Sequence, residues 1–410
     1  MIRIKNLKVQ NFKSLINTEI EEFGPVNMFY GFNNCGKSNI FRFLKLLFER
    51  KRLGTKVQYL PSDGNLSSQS NTLFKTTNFW NGNIWNEPFL FTGNKRNVPI
   101  TFKISLVVSP DYFYFKDLLI QKNILKVNSE ADLVLEGRIV SLDFETSEFR
   151  INQVILNGSI VYLFDDEIEN FFPKFEDADL TEKVGESILG SLDDLVLLID
   201  SNRGFTKEKS EGNSGNFDIG NFKSDLYELY INADKHQDFL NLVEFIQKFD
   251  FSEDAKQKLG SNLKSYPFRS KTEMSFAKFE SELEIMLINE FGRFPLQGYG
   301  TGIQQFLFIL SRIALNKSKI VIVEELESNL SPLYQTELLR FLKSGIGIFY
   351  DQLIFSSHSP FFTQKNHGMV DIIHHVRIGH ILNGGTSVEC HDDVKYDEDT
   401  GDSYFSLLYS

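Results

Sequence analysis

The segment Gly31-Phe32-Asn33-Asn34-Cys35-Gly36-Lys37-Ser38 constrains the fold more than any other. It reads G-x-x-x-x-G-K-S and lies between a β-rich run, Val26 to Tyr30, and an amphipathic helical pattern, Asn39 to Phe48. A P-loop requires that strand–loop–helix context. The glycines let the backbone curl until its N–H groups aim at phosphate oxygens, and the helix N-terminus adds a favourable dipole. Gly31, Asn33, Asn34, Cys35, Gly36, Lys37, Ser38 and Asn39 are the residues expected to cradle a nucleotide. Lys37 is placed to reach the β/γ-phosphates, and Ser38 to hold Mg²⁺. The competing reading is a glycine-rich turn of purely structural use; the strand before it and the helix after it favour the phosphate loop.

The length, 410 residues, allows two or three ordinary domains, or one large domain with an insertion. Hydrophobic residues make up 41% of the chain, enough for a substantial core, and the 40 phenylalanines are read as core filling rather than as a stacking platform. A net charge of −12 disfavours a surface coated with positive charge for non-specific DNA binding, while leaving room for a local basic groove. Two cysteines, Cys35 and Cys390, cannot make a disulfide framework or a four-cysteine zinc site, and they fit a reduced cytoplasmic setting. The N-terminus, MIRIKNLKVQNFKSL, alternates apolar and polar residues and lacks a signal-peptide core. No stretch reaches the ~20 apolar residues of a membrane span. A soluble protein without membrane attachment is expected.

Along the chain, residues 1–30 read as two or three strands, and the P-loop helix runs to about Arg50. Residues 51–97 read mostly as loop, and Pro99 to Leu163 as short antiparallel strands. Residues 165–190 are acidic and read as helical; Asp194 to Asp200 reads as a buried strand, and 206–220 as a mobile loop. Phe222 to Phe249 predicts two helices, or one broken near Asn232, followed by further strands over 272–297. Gly302 to Asn316 is a helix, Ile320 to Val323 a buried strand, and Ser331-Pro332 a helix start with Ser as N-cap. Gln352 to Ser356 is the next strand. The expected division is a core built around the P-loop over 1–60 and 290–384, a mostly β lobe over 61–165, a helical/β insertion over 166–289 and an acidic tail over 385–410.

Hydrolysis needs an acid to position Mg²⁺ and a group to orient water. Ile320-Val321-Ile322-Val323-Glu324-Glu325 supplies both, with carboxylates emerging at the C-terminal end of a buried strand, where ligands sit in α/β sheets. Glu324 is assigned to Mg²⁺ through water and Glu325 to polarising the attacking water. The alternative is a core strand followed by a solvated acidic turn. Gly300-Thr301-Gly302, before a helix N-terminus, makes a second phosphate-binding nest, or else a glycine-rich helix cap. His358, in Ser356-Ser357-His358-Ser359-Pro360, follows the next apolar strand, where a side chain can meet a γ-phosphate or hydrolytic water. His374, His375 and His380 alternate like a strand, which competes with a metal-site reading.

The ordered motifs NFKSL, GFNNCGKSN, GYGTGIQQFLFIL, IVIVEELESNLSP and LIFSSHSPFF together resemble ABC-type ATPases of the RecF / OLD (overcoming lysogenization defect) group, similar to the heads of chromosome-maintenance ATPases. The resemblance covers 1–50 and 290–365 closely and the β lobe and Arg203 region only loosely. It implies an α/β fold: an ABC-type P-loop ATPase head with an antiparallel β lobe and a helical insertion. It further implies ATP and Mg²⁺ as ligands, and a homodimer or higher homo-oligomer with composite ATP sites. In such an assembly Gly300, Thr301 and Gly302 contact the γ-phosphate in trans. Lys37, Ser38, Glu324, Glu325 and His358 act in cis, and Ser328 to Ser331 cross the interface. Lys13 is assigned near the nucleotide; Gln69 and Gln153 are candidates for the glutamine loop. Three departures stand out: Glu324 in place of the commoner Asp, Leu326 in place of Pro, and Thr301 in place of Ser.

Lys37 and Glu324 lie 287 residues apart, more than a transporter nucleotide-binding domain inserts; the segment between lacks the heptads of a long coiled coil. OLD nucleases append a metal-dependent TOPRIM domain, and the segment after SSHSPFF, with Asp392, Asp393, Asp397 and Asp399, is too short for one. Those carboxylates read as a solvated acidic surface. The expected role is therefore a stand-alone OLD-type ATPase, similar to the ATPase subunits of the anti-phage systems Septu and PARIS. It would be the sensor or scaffold of an antiviral defence system, controlling a separate nuclease or toxin effector. The alternative is a RecF-like DNA-repair ATPase that clamps nucleic acid.

Overall fold

Apolar residues at Ile2, Ile4, Leu7 and Val9 give the first strand, β1 (Ile2–Phe12), one fully buried face. In a computed structural model the described residues are 1–31, 34–48, 82–85, 90–113, 116–127, 129–142, 146–164, 169–171, 195–201, 222–247, 273–279, 282–289, 292–315, 318–359, 374–380 and 385–391, with single or paired positions at 175, 180–181, 184, 188, 192, 257 and 362. Two compact units share the chain. The first comprises Met1–Leu198, Ser318–Ile320 and Asp371–Val394; the second comprises Ile199–Lys317, Val321–Val370 and Lys395–Ser410. The fold is mixed α/β with a large antiparallel sheet.

In the first unit, β1 pairs with β2 (Leu15–Ile20), and β3 (Val26–Tyr30) leads into the P-loop and α1 (Lys37–Phe48). After β4 (Gly82–Trp85) come β5 (Ile100–Val108), α2 (Lys116–Gln121), β6 (Ala131–Ser141), β7 (Thr146–Leu156), β8 (Ser159–Phe164), β9 (Glu169–Phe171) and β10 (Val196–Ile199). The large sheet runs β2-β1-β5-β6-β7-β8-β9, with β4 paired to β7. Two expectations change here. Residues 82–85, read as loop, form a strand, and Glu169–Phe171, inside the segment read as helical, extends the sheet beyond β8. Both runs are short and owe their strand form to a neighbour's open edge, which local pattern does not report.

Phenylalanines fill this core. Phe43 of α1 meets Phe12 edge-on at 5.0 Å and Phe102 at 5.6 Å, and Phe102 stacks on Phe149 at 5.6 Å. On the other side of α1, Phe41 meets Phe29 of β3 at 5.1 Å. The helix that follows the P-loop is thus held by aromatic contacts to β3 and to the antiparallel sheet, each worth about 1 kcal/mol beyond area burial.

In the second unit, α3 (Phe222–Ile231) and α4 (His236–Gln247) are separated by a turn beginning at Asn232. The strands β11 (Glu273–Phe279), β12 (Glu282–Asn289) and β13 (Gly292–Pro295) form a separate three-stranded antiparallel sheet. A buried ion pair, Lys223 Nζ to Glu284 Oε1 at 3.3 Å, ties α3 to β12. Next come α5 (Thr301–Leu315), β14 (Ile320–Val323), α6 (Pro332–Ser344) and β15 (Gln352–Ser356). All four β14 side chains are buried, and so are all five of β15. Ser331 occupies the N-cap position of α6 with Pro332 next to it, but its side chain makes no capping bond; its carbonyl accepts the Gln335 N–H at 3.0 Å.

The chain then returns to the first unit with β16 (His374–His380) and β17 (Thr386–His391). Strand β16 runs parallel to β3, in register from Asn27↔His374 to Tyr30↔Arg377, and antiparallel to β17. The strand reading of HHVRIGH is thereby met, whereas Thr386–His391, within the segment read as an acidic tail, is a strand. Among the described residues no helix is long and apolar enough to cross a membrane.

Candidate functional site

Strand β3 delivers the P-loop against β16. A Cβ on Gly31 would lie 2.0 Å from the Ile378 carbonyl oxygen, and Gly31 has φ +141°. A Cβ on Gly36, φ +111°, would lie 2.2 Å from Thr386 Oγ1. Both glycines are therefore demanded twice, by backbone conformation and by close approach. Asn34 also adopts a left-handed conformation, φ 63°. Lys37 is buried at the start of α1, and its Nζ donates to the Gly31 carbonyl at 2.7 Å and lies 3.7 Å from Cys35 Sγ. The ammonium thus spans the mouth of its own loop, where it can meet phosphate oxygens. Ser38 is exposed in the first helical turn. Asn39 turns its side-chain amide to Ser14 Oγ at 2.9 Å. Asn33 lies outside the described residues.

In the second unit, the segment after β14 carries the carboxylates. The Glu324 N–H donates to the Ile199 carbonyl at 2.9 Å. Its Oε2 accepts the Ser201 N–H at 3.4 Å, while its Oε1 is buried with no hydrogen-bond partner among the described residues. A buried carboxylate oxygen left without a donor suits a cation. Glu325 has φ 45°, left-handed for a non-glycine residue, a conformation that costs on the order of 1 kcal/mol. Ser356 holds it there: its Oγ accepts the Glu325 N–H at 2.9 Å, and its carbonyl accepts the Leu326 N–H at 3.1 Å. Ser328 Oγ donates to Glu325 Oε2 at 3.1 Å.

Glu327, a third carboxylate that sequence reasoning passed over, joins this loop to the one after β15. Its Oε1 accepts the His358 N–H at 2.6 Å, and its Oε2 is buried without a partner among the described residues. Burial pushes the Glu327 carboxyl above the usual carboxylate range, against the opposing pull of its hydrogen bonds from the His358 backbone and Ser357. Ser359 Oγ donates to Gln335 Oε1 at 2.6 Å, and Gln335 Nε2 donates to the Leu330 carbonyl at 2.8 Å. The half-buried His358 is therefore held by backbone bonding to the glutamate loop.

The Gly300-Thr301-Gly302 segment forms the N-terminus of α5. The Gly300 carbonyl accepts the Ile303 N–H at 3.0 Å, and Thr301 is exposed. A Cβ on Gly302 would lie 2.6 Å from the Asn329 carbonyl oxygen, so the start of α5 rests on the loop containing Ser328 to Ser331 in the same chain. Asn329 itself has φ 58°.

Lys13 adjoins Ser14, whose hydroxyl accepts from Asn39 in the P-loop helix. Lys13 sits in the β1–β2 turn with φ 50°; its N–H donates to the Leu90 carbonyl at 2.9 Å, and its ammonium lies 5.8 Å from the Phe12 ring centroid. Gln153 is on β7, paired in register with Glu136. Gln69, Arg203, the 206–220 segment and Asp392, Asp393, Asp397 and Asp399 lie outside the described residues, as do the side chains of His374, His375 and His380. Among the described residues no cluster of His, Cys, Asp or Glu could hold a metal ion by itself. Sequence reading also missed Ser14 and Thr386, whose hydroxyls lie 2.9 Å apart beside the P-loop, Thr386 bonded to the Cys35 carbonyl and Ser14 to the Asn39 side chain. Only the alternation of TSVECH pointed to a strand there.

The AAA ATPase domain family matches residues 2–363. No curated protein matches the chain in sequence. Among solved structures, the chain is similar to an SMC head bound to the C-winged helix domain of ScpA, with 12% identity, coverage of 95% of this chain and 97% of that one, and a TM-score of 0.46. It is also similar to the SMC head domain from Thermotoga maritima, at 15% identity, 95% and 99% coverage and a TM-score of 0.42. A third is an Smc head with an extended coiled coil bound to the C-terminal domain of ScpA, derived from Pyrococcus furiosus, at 11% identity, 95% and 96% coverage and a TM-score of 0.43.

Proposed function

The chain belongs to the AAA ATPase domain family, and from that premise we propose that it binds and hydrolyses ATP and that its nucleotide state governs assembly with a partner protein. The observation that carries the reading is Lys37, buried at the mouth of a strand–loop–helix phosphate loop with its ammonium on the Gly31 carbonyl. The P-loop N–H groups and Lys37 bind the β- and γ-phosphates, and Ser38 and Glu324 are the residues that would hold Mg²⁺. When bound there, Mg²⁺ would supply positive charge that offsets the charge of the phosphates. Glu325 polarises the attacking water; its carboxylate accepts from the Ser328 hydroxyl and its backbone N–H donates to Ser356 Oγ. His358 is the group offered to the γ-phosphate, positioned through Glu327.

On this reading two chains close composite sites, with Gly300, Thr301 and Gly302 of one copy completing the phosphate contacts of another. Support comes from the nest standing at an exposed helix N-terminus braced by its own chain. The assembled form acts as the sensor or scaffold of an anti-phage system that holds or releases a nuclease or toxin. The direct test measures ATP turnover and particle mass with and without ATP. It also purifies the chain with its genomic neighbour in both states. Turnover, ATP-dependent growth in mass and nucleotide-dependent co-purification are expected. Absence of turnover sinks the enzyme reading; absence of any neighbour in both states sinks the effector role.

A further inference from the structure

We propose that Thr386 is a positioning residue for the P-loop, acting through a directed hydrogen-bond chain that runs from Asn39 through Ser14 and Thr386 to the Cys35 carbonyl; this rests on the nucleotide-binding reading above. Thr386 opens β17 and is buried. Its backbone N–H donates to the Ser14 carbonyl at 3.0 Å, and its own carbonyl accepts from Thr18 Oγ1 at 3.5 Å, so its place beside the β1–β2 turn is set by the main chain. Its hydroxyl donates to the Cys35 carbonyl at 2.9 Å and lies 2.9 Å from Ser14 Oγ. A threonine hydroxyl carries one proton. With that proton on Cys35, the Ser14 hydroxyl must donate to Thr386. Ser14 Oγ then accepts from Asn39 Nδ2, which lies 2.9 Å away. The direction of every bond follows, and each link polarises the next.

The consequence falls on the phosphate side of the loop. A trans peptide points its C=O and the following N–H in opposite directions within one plane. Holding the Cys35 carbonyl on Thr386 therefore turns the Gly36 N–H away from β17. Gly36 can sit here only because it lacks a Cβ, which would stand 2.2 Å from Thr386 Oγ1. One residue from the C-terminal hairpin and one from the β1–β2 turn thus fix a peptide plane of the P-loop.

The test compares full-length wild type with Thr386→Val, Thr386→Ser and Ser14→Ala. It reads Mg·ATP affinity by calorimetry, the alkylation rate of Cys35 by peptide-resolved mass spectrometry with N-ethylmaleimide, and melting temperature. Losing one buried hydrogen-bond donor gives Thr386→Val an expected affinity loss of about tenfold. Cys35 alkylation should rise by a similar factor, on the order of tenfold, as the carbonyl is released. Thr386→Ser retains the donor and stays within about twofold of wild type on both measures. Wild-type affinity and wild-type alkylation in a folded Thr386→Val overturn the proposal. If that variant does not fold, Ser14→Ala decides, because it breaks the chain one link earlier and is expected to show the same two changes. If wild type binds no nucleotide, the functional reading falls, and the alkylation rates alone confirm or refute the brace.

Discussion

The position of a Cβ on Gly302 lies 2.6 Å from the carbonyl oxygen of Asn329, so α5 starts in backbone contact with the loop that follows the glutamate pair. No real side chain fits at that distance. Gly302→Ala must push the helix N-terminus off the loop, at about 1–3 kcal/mol of stability. Turnover is expected to fall at least about tenfold while Mg·ATP affinity stays near wild type, since the P-loop is untouched. Steady-state kinetics beside calorimetry separate the two, and unchanged turnover would remove the nest from the catalytic assembly.

Lys37→Ala and Glu325→Gln split binding from chemistry. Removing the ammonium takes away a charge-assisted bond worth about 1.5–3 kcal/mol, so nucleotide affinity should drop by tenfold or more. Glu325→Gln keeps the volume and loses the base. Its affinity is expected to hold, and its single-turnover rate to fall on the order of a hundredfold. Near-normal turnover in both variants would sink the site assignment.

Ser356 supports Glu325 in its left-handed conformation through an N–H···Oγ bond of 2.9 Å. Ser356→Ala frees that strained peptide without touching a carboxylate. We expect kcat to fall about fivefold with little change in KM. A rise in KM at constant kcat would show that the bond serves binding instead.

Glu324 keeps a buried oxygen without a hydrogen-bond partner among the described residues, as a cation site would. Glu324→Gln should raise the Mg²⁺ concentration for half-maximal turnover about tenfold while nucleotide binding without metal is unchanged. A wild-type Mg²⁺ titration would show that the ion is held elsewhere.

Glu327 gives a pH-dependent stability with a definite sign. Burial raises its folded-state pKa above the value in the unfolded chain. The folded state then binds more protons across that window, so stability falls as pH rises through it, and the loss is complete above the raised value. Glu327→Gln retains an acceptor for the His358 N–H and removes the buried charge. It should melt higher than wild type above the window and converge with it at the acidic end. A lower melting temperature at neutral pH, with an unchanged pH slope, would contradict the assigned burial penalty.

Much of the site was legible in short patterns. G-x-x-x-x-G-K-S carries its own geometry, because a tight loop, a lysine and a helix start are local features. Four buried residues ending in Glu324-Glu325 likewise announce a core strand with carboxylates at its tip. The breaks at Asn232 and Ser331-Pro332 follow from local backbone chemistry. By contrast, Gly82–Trp85, Glu169–Phe171 and Thr386–His391 become strands because a neighbouring edge is open to them, and no window of sequence contains that neighbour.

The amino-acid sequence alone determined the G-x-x-x-x-G-K-S turn between strand and helix, the buried strand that ends in Glu324-Glu325, the helix that starts after Gly300 and the order in which they come, since these follow from local pattern and backbone chemistry. Tertiary structure decided what holds them. Ser14 and Thr386 are separated by 372 positions, yet their hydroxyls lie 2.9 Å apart beside the P-loop. Ser356 sets the backbone of Glu325 from 31 positions away. Hydrogen bonds act over about 3 Å of space and are indifferent to separation along the chain. The positioning of this site could therefore be read only once the strands had been brought together.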